Sequence, residues 1–135
     1  MHLSGACLCG SITYEIYHDP SDVADYCHCK ACQRSGGAPV LAWVQTPQKN
    51  FRITRGTPKP YASSAAATRW FCPDCGSPLY MSDAKNISIG ITLGTLDQPE
   101  FIPPTVHGWS CERIPWFNTT DELPKYDRAP PYDLK

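Results

Sequence analysis

Apolar and polar residues alternate with a period of two through several short stretches of this chain, the spacing of half-buried strands. Ile12, Tyr14 and Ile16 alternate within 11–17, and Ile87, Ile89 and Ile91 alternate later with Gly90 and Gly94 among them. Residues 40–46, 51–54, 68–71 and 78–81 are further strand candidates, rich in β-branched and aromatic side chains. Fourteen prolines punctuate the chain, and beyond the first of them, Pro20, only residues 21–38 and 79–98 are open to a long helix. The second window reads as strand. In the first, only 31–35 and 21–24 read as single helical turns. The pattern predicts an all-β domain of short antiparallel strands with proline-marked turns. Residues from Pro124 onward form a tail, packed through Tyr126 and Tyr132 or not packed at all.

With 135 residues, 41% hydrophobic and 19% charged, the chain is a single globular domain. The formal net charge of −1 and a pI near 6.4 argue against a nucleic-acid binder working through bulk charge. No run approaches a membrane span, and the first residues, MHLSGACLCG, lack the marks of an export signal. The expectation is a cytoplasmic protein with neither nucleic-acid nor membrane partners. Basic residues concentrate between 41 and 80, where Lys49, Arg52, Arg55, Lys59 and Arg69 face only Asp74. That stretch reads as solvated strand faces or as a landing surface for a small anion.

Cysteine changes the picture most. Seven of the eight cysteines fall into three tight groups: Cys7 and Cys9, then Cys27, Cys29 and Cys32, then Cys72 and Cys75. Cysteines this close rarely bridge one another, whereas a turn readily brings two thiolates to one tetrahedral ion. Gly10 and Gly76 follow two of the groups and can take the positive φ that such turns need. Two pairs supply four ligands, so Cys7, Cys9, Cys72 and Cys75 would close a structural zinc site and staple distant strands. Cys27, Cys29 and Cys32 would then hold a second zinc with one position open, the arrangement of a catalytic site. Spacing alone leaves another pairing open, in which the triad joins one of the pairs. His28 lies inside the triad loop with its ring expected to point away, and His107 and Cys111 are minor ligand candidates. Trp109 and Trp116 read as core aromatics first and pocket walls second.

These same residues resemble the glutathione-dependent formaldehyde-activating enzyme family, which includes centromere protein V. The resemblance runs from about residue 3 to 126, through GACLCGSITYE (5–15), CHCKACQRSGGAP (27–39), FRITRG (51–56), RWFCPDCGSPLY (69–80), HGWSCERIPWF (107–117) and DELPKY (121–126). It implies a β-tent of small sheets organised around zinc over residues 1–126, with 127–135 as a C-terminal tail. It implies the same partition of up to two zinc ions, structural at Cys7, Cys9, Cys72 and Cys75 and catalytic at Cys27, Cys29 and Cys32. The implied activity is that of a carbon–sulfur lyase working in the synthetic direction, adding a small thiol, glutathione, to formaldehyde or another small aldehyde. Arg34, Arg69 and the basic stretch are the candidates to orient the carboxylates of glutathione. Gln33 stands where the family often has a second arginine, and Cys111 where it asks for none. The rival reading is a zinc-stabilised binding module without catalysis. Nucleic-acid binding through zinc knuckles ranks last, since Lys30 and Arg34 are the only basic residues around the triad.

Overall fold

The computed structural model describes residues 1–132 of the chain. The alternating stretches become strands wherever one parity of side chain has a core to enter. In β1 (His2–Ala6) Leu3 turns inward, and in β2 (Thr13–Tyr17) Tyr14 and Ile16 do so. These two pair antiparallel, and β5 (Phe51–Arg55) joins the far edge of β2 to complete a three-stranded sheet.

The second sheet has seven strands, β3 (Ala24–Cys27), β4 (Leu41–Pro47), β6 (Lys59–Ala62), β7 (Ala67–Phe71), β8 (Pro78–Asp83), β9 (Ser88–Thr92) and β10 (Val106–Gly108), in the order β10-β3-β4-β9-β8-β7-β6. All its pairings are antiparallel except β10 with β3. β6 contains Pro60 and lies at the edge, where a missing backbone donor costs no ladder bond. The sole α-helix among the described residues, α1 (Lys30–Gly36), follows β3 directly.

Register sorts the seven-stranded sheet into two faces. Val44, Ile91, Tyr80 and Trp70 stand opposite one another across four strands and look one way. They meet Tyr14, Ile16, Phe51 and Ile53 of the small sheet, and this single cluster is the main core. Gln45, Gly90, Met81 and Arg69 form the adjacent row, which looks the other way. At Gly90 an added Cβ would lie 2.7 Å from the Gln45 amide nitrogen. That second face carries the candidate site, together with Trp43 two residues before Gln45.

Four strands escape the alternation reading for identifiable reasons. β1, β6 and β10 are three to five residues long and carry Ser, Gly, Lys or Pro among their apolar positions. β3 reads ADYC, and its start lies inside 21–24, expected as a helical turn but forming a bend that leads into the strand. Ile87 is exposed and precedes β9, while Ile89 and Ile91 are buried. The helical turn expected over 31–35 is the middle of α1.

The segment from Pro124 runs back along β10. The amide of His107 donates to the Pro124 carbonyl, Tyr126 donates to that of His107, and Trp109 to that of Arg128. Farther on, the Tyr132 hydroxyl donates to Asp25 Oδ2 at 2.7 Å. Residues 133–135 of the expected tail lie outside the described residues.

Candidate metal centres and an adjoining cavity

Two turns of the same kind build the first cysteine cluster. The Gly10 amide returns to the Cys7 carbonyl at 3.1 Å, and the Gly76 amide to the Cys72 carbonyl at 2.9 Å. Gly10 and Gly76 adopt φ values of 78° and 79°, the left-handed conformation anticipated for the residue after each pair. The turns bring Cys7, Cys9, Cys72 and Cys75 together with all sulfurs within 4.8 Å of one another. Cys7 and Cys9 sulfurs are 3.6 Å apart, and those of Cys9 and Cys72 3.8 Å. The Ser11 hydroxyl lies 3.1 Å from Cys9 and 3.4 Å from Cys72, and Ser77 lies 3.3 Å from Cys75. The hydrogen bond from Ser77, first among several, lowers the Cys75 thiol to about 5, so this sulfur is ready to ionise.

Cys27, Cys29 and Cys32 form the second cluster, also within 4.8 Å of one another. Cys27 ends β3, paired with Leu41 on one side and Gly108 on the other, so two neighbouring strands fix its position. Cys29 caps α1, its sulfur accepting from the Cys32 amide at 3.3 Å. Hydrogen bonds from Cys27 and Cys32 hold the Cys29 thiol well below its ordinary value, and Cys27 is pushed up in return. All eight cysteines are free, and Cys111 is exposed and belongs to neither cluster. Sulfur-only donor sets of four and three suit soft or borderline metal ions.

Arg69 reaches this cluster from β7. Its Nη2 and Nη1 lie 3.6 and 3.8 Å from Cys32 Sγ, Nη1 donates to Ser35 Oγ at 3.1 Å, and the guanidinium sits 5.8 Å from the centre of the Trp43 ring. Gln33, standing where the family that the sequence resembles often has a second arginine, has a structural task here. Its side-chain amide donates to the His28 carbonyl at 2.7 Å and the Glu112 carbonyl at 3.1 Å, tying the triad loop to the turn after β10.

Neither histidine joins the sulfurs. His28 Nε2 lies 2.8 Å from His107 Nδ1, and His107 Nε2 lies 3.0 Å from the Asp121 carboxylate. An ionised carboxylate only accepts, so His107 donates from Nε2 and presents a bare Nδ1, to which His28 Nε2 donates. Hydrogen bonds from Thr119 and His107 keep the Asp121 carboxyl down at about 2, consistent with that assignment. The chain anchors the triad loop to the segment after β10. Both rings are buried, which their positions in the sequence did not reveal.

A cavity of about 500 Å³ opens beside the triad, its wall including Cys27, Cys29, Cys32, Trp43, Met81 and Trp109. Trp109 holds a left-handed backbone at φ 55°, rare for a bulky residue and frequent where a site fixes a side chain. Trp116 is 74% exposed, so it belongs to neither core nor cavity wall. Asp25 also lines this cavity, almost fully buried, and burial pushes its carboxyl up to about 6. A second cavity of about 740 Å³ lies across Ala31, Trp43 and Arg69 and gathers Lys30, Arg34 and Arg69 with Tyr61 and Trp70. Arg34 and Arg69 thus share one basic wall. Asp25, Asp121 and Trp43 went unflagged in the sequence, although an acid between Ala24 and Tyr26 in a buried strand was a signal.

An uncharacterized lyase of Schizosaccharomyces pombe is 34% identical over 79 residues, covering 58% of this chain and 56% of that protein. The match therefore spans little more than half of the relative's length. A crystal structure of a Rhodobacter sphaeroides protein, solved as a structural-genomics target, superposes over 91% of this chain and 99% of its own with a TM-score of 0.60 at 20% identity, a likeness of fold. The family model for glutathione-dependent formaldehyde-activating enzymes matches residues 2–112, a span that includes both cysteine clusters, Arg34 and Arg69. The chain belongs to the glutathione-dependent formaldehyde-activating enzyme family.

Proposed function

We propose that this protein is a zinc-dependent carbon–sulfur lyase that adds a small thiol, glutathione, to a small aldehyde. The observation that carries the reading is a three-thiol cluster in the wall of a cavity, with a basic cavity adjoining it. Family membership and the lyase-named relative support the same class of reaction.

The donor geometry fits zinc. A tetrahedral zinc–thiolate site with bonds of ~2.3 Å sets its sulfurs about 3.8 Å apart. Two of the sulfur separations in the four-cysteine cluster are 3.6 and 3.8 Å, and all lie within 4.8 Å. Cys7, Cys9, Cys72 and Cys75 would hold a closed structural ion, and Cys27, Cys29 and Cys32 an ion with one position free. Zinc bound at the triad supplies a Lewis-acid position that favours the thiolate form of an added thiol. Eight free cysteines suit a reducing, cytoplasmic compartment.

The remaining tasks fall to side chains. Lys30 and Arg34 present positive charge to the carboxylates of glutathione, and Arg69 in the same cavity wall also touches Cys32 of the triad. Three thiolates give the triad an excess of negative charge, and the Arg69 guanidinium on Cys32 Sγ offsets part of it. Trp109 and Trp43 exclude water from the cavity side. In the net reaction a bond forms between the glutathione sulfur and the aldehyde carbon. The carbonyl π pair moves to oxygen, which ends with the proton that the thiol gave up.

Titration calorimetry on zinc-loaded protein tests this. Glutathione binds, S-methylglutathione loses most of the affinity, and changing Cys27, Cys29 or Cys32 has the same effect. Moderate weakening with added salt is also expected, because the ligand is anionic. Equal affinity for both ligands would make glutathione a surface binder and remove the thiol-activation mechanism. A non-catalytic zinc module would need neither the cavity nor a free position at the triad.

A further inference from the structure

The two cavities that meet at Ala31, Trp43 and Arg69 differ in charge and in lining. Lys30, Arg34 and Arg69 line the larger one, and among the described residues no acid does. Asp25, Asp83 and Glu112 line the smaller one, and Arg69 is its sole cation among the described residues. That cation is already engaged with Cys32 and Ser35. The anionic thiol therefore has one favourable entrance, and the smaller cavity falls to its reaction partner.

The dimensions of that smaller cavity do not match formaldehyde. Its volume is about 500 Å³, within the range that takes a drug-sized molecule. Formaldehyde has two heavy atoms and is hardly larger than a water, whose share of liquid volume is about 30 Å³. Trp43, Met81, Trp109, Ala66 and Ala67 supply much of the wall, and the three cysteines lie at one side. Such a surface gains affinity by covering apolar carbon, which formaldehyde does not have.

Resting on the lyase reading above, we propose that the aldehyde substrate is larger than formaldehyde: an uncharged aldehyde bearing an apolar chain or ring that fills the cavity beside the triad. Its carbonyl carbon faces the cysteines and its apolar part lies between Trp43, Met81 and Trp109. Anionic aldehydes are disfavoured by Asp83 and Glu112. Asp83 is held ionised by hydrogen bonds from the Ile87 and Ser88 amides and the Ser88 hydroxyl. The reaction is the same addition, with one carbon–sulfur bond formed and one proton moved from sulfur to oxygen. No further reactant is needed.

The test compares formaldehyde, hexanal, benzaldehyde and glyoxylate as partners of glutathione on the zinc-loaded protein, using NMR exchange between free aldehyde and thiohemiacetal. Acceleration for hexanal or benzaldehyde should exceed that for formaldehyde by at least about tenfold, the scale on which apolar pockets discriminate, with glyoxylate the poorest. Ala67→Leu narrows the cavity and should lower the hexanal-to-formaldehyde ratio about tenfold or more. A readout independent of turnover is quenching of tryptophan fluorescence by benzyl alcohol, expected from Trp43 and Trp109 and weakened in Ala67→Leu. Acceleration of formaldehyde alone, or equal acceleration of glyoxylate and hexanal, overturns the proposal and leaves the lyase reading standing. No acceleration of any aldehyde overturns that reading and this proposal with it.

Discussion

Asp25 offers a test in which the sign is as informative as the size. Its carboxyl is buried beside the triad and accepts a hydrogen bond from Tyr132, and loss of solvent raises its folded pKa from 3.8 to about 6. The folded state holds this proton more tightly than the unfolded chain does. Below pH ~4 both states are protonated and Asp25 costs nothing. As pH rises toward ~6 the unfolded chain ionises first, so this group lowers stability, and above ~6 the full penalty applies. At 1.36 kcal/mol per pKa unit the penalty is about 3 kcal/mol near pH 7, roughly half of it already present at pH 5.

Asp25→Asn removes the titration while keeping size and an acceptor for Tyr132. The variant carries its own constant cost, because its amide NH₂ has no evident partner in this buried position. A constant does not alter the pH dependence. Urea denaturation of metal-loaded wild type and variant between pH 5 and 7.5 should show their stability difference moving by about 1.5 kcal/mol in favour of the variant. Thiolates lose metal as pH falls, but they do so in both proteins, and the difference isolates Asp25. A difference that stays flat, or that moves toward the wild type, would refute the assignment of a raised carboxyl.

Elemental analysis of protein purified without added metal should find up to two zinc ions per chain; no zinc, with disulfides among the seven clustered cysteines, would contradict the site reading. If one ion is found, its loss on Cys72→Ser but not on Cys29→Ser locates it in the four-cysteine site. Cys72→Ser should lower the melting temperature by roughly 10 °C or more, because it breaks a link between distant segments in the core. Cys29→Ser, in a local loop, should shift melting by less than about 4 °C, so equal losses would refute that division. His107→Phe should cost about 2 kcal/mol in urea denaturation by leaving the buried His28 Nε2 donor without its acceptor, and a loss under about 0.5 kcal/mol would show the histidine pair to be idle.

Local spacing carried the cysteine clusters, because each turn that presents two sulfurs is only four or five residues long. Gly10 and Gly76 mark those turns in the sequence and occupy the expected conformation in the structure. Alternation likewise found the strands with clear parity, such as β2, where Tyr14 and Ile16 are both buried. It missed β6, whose side chains are all exposed, and β10, whose three residues are too few to show a period. The pairing of β10 beside β3 is what places the turn carrying Trp109 and Glu112 near the triad, and nothing within VHG announces it.

The sequence by itself determined which atoms can hold metal and which way each alternating strand turns, since both follow from residues a few positions apart. Only the tertiary structure decided what those atoms meet. The register Gln45–Gly90–Met81–Arg69 carries the Arg69 guanidinium onto Cys32, thirty-seven residues away in the chain. Parallel pairing of β10 with β3 joins His107 to His28 across seventy-nine residues, and the chain's return past Asp121 completes their hydrogen bonds. The cavity beside the triad is likewise a gap among strands, loop and C-terminal segment, which no segment encodes alone. Spacing fixes chemistry within a turn; strand register across a sheet fixes which chemistries share a site.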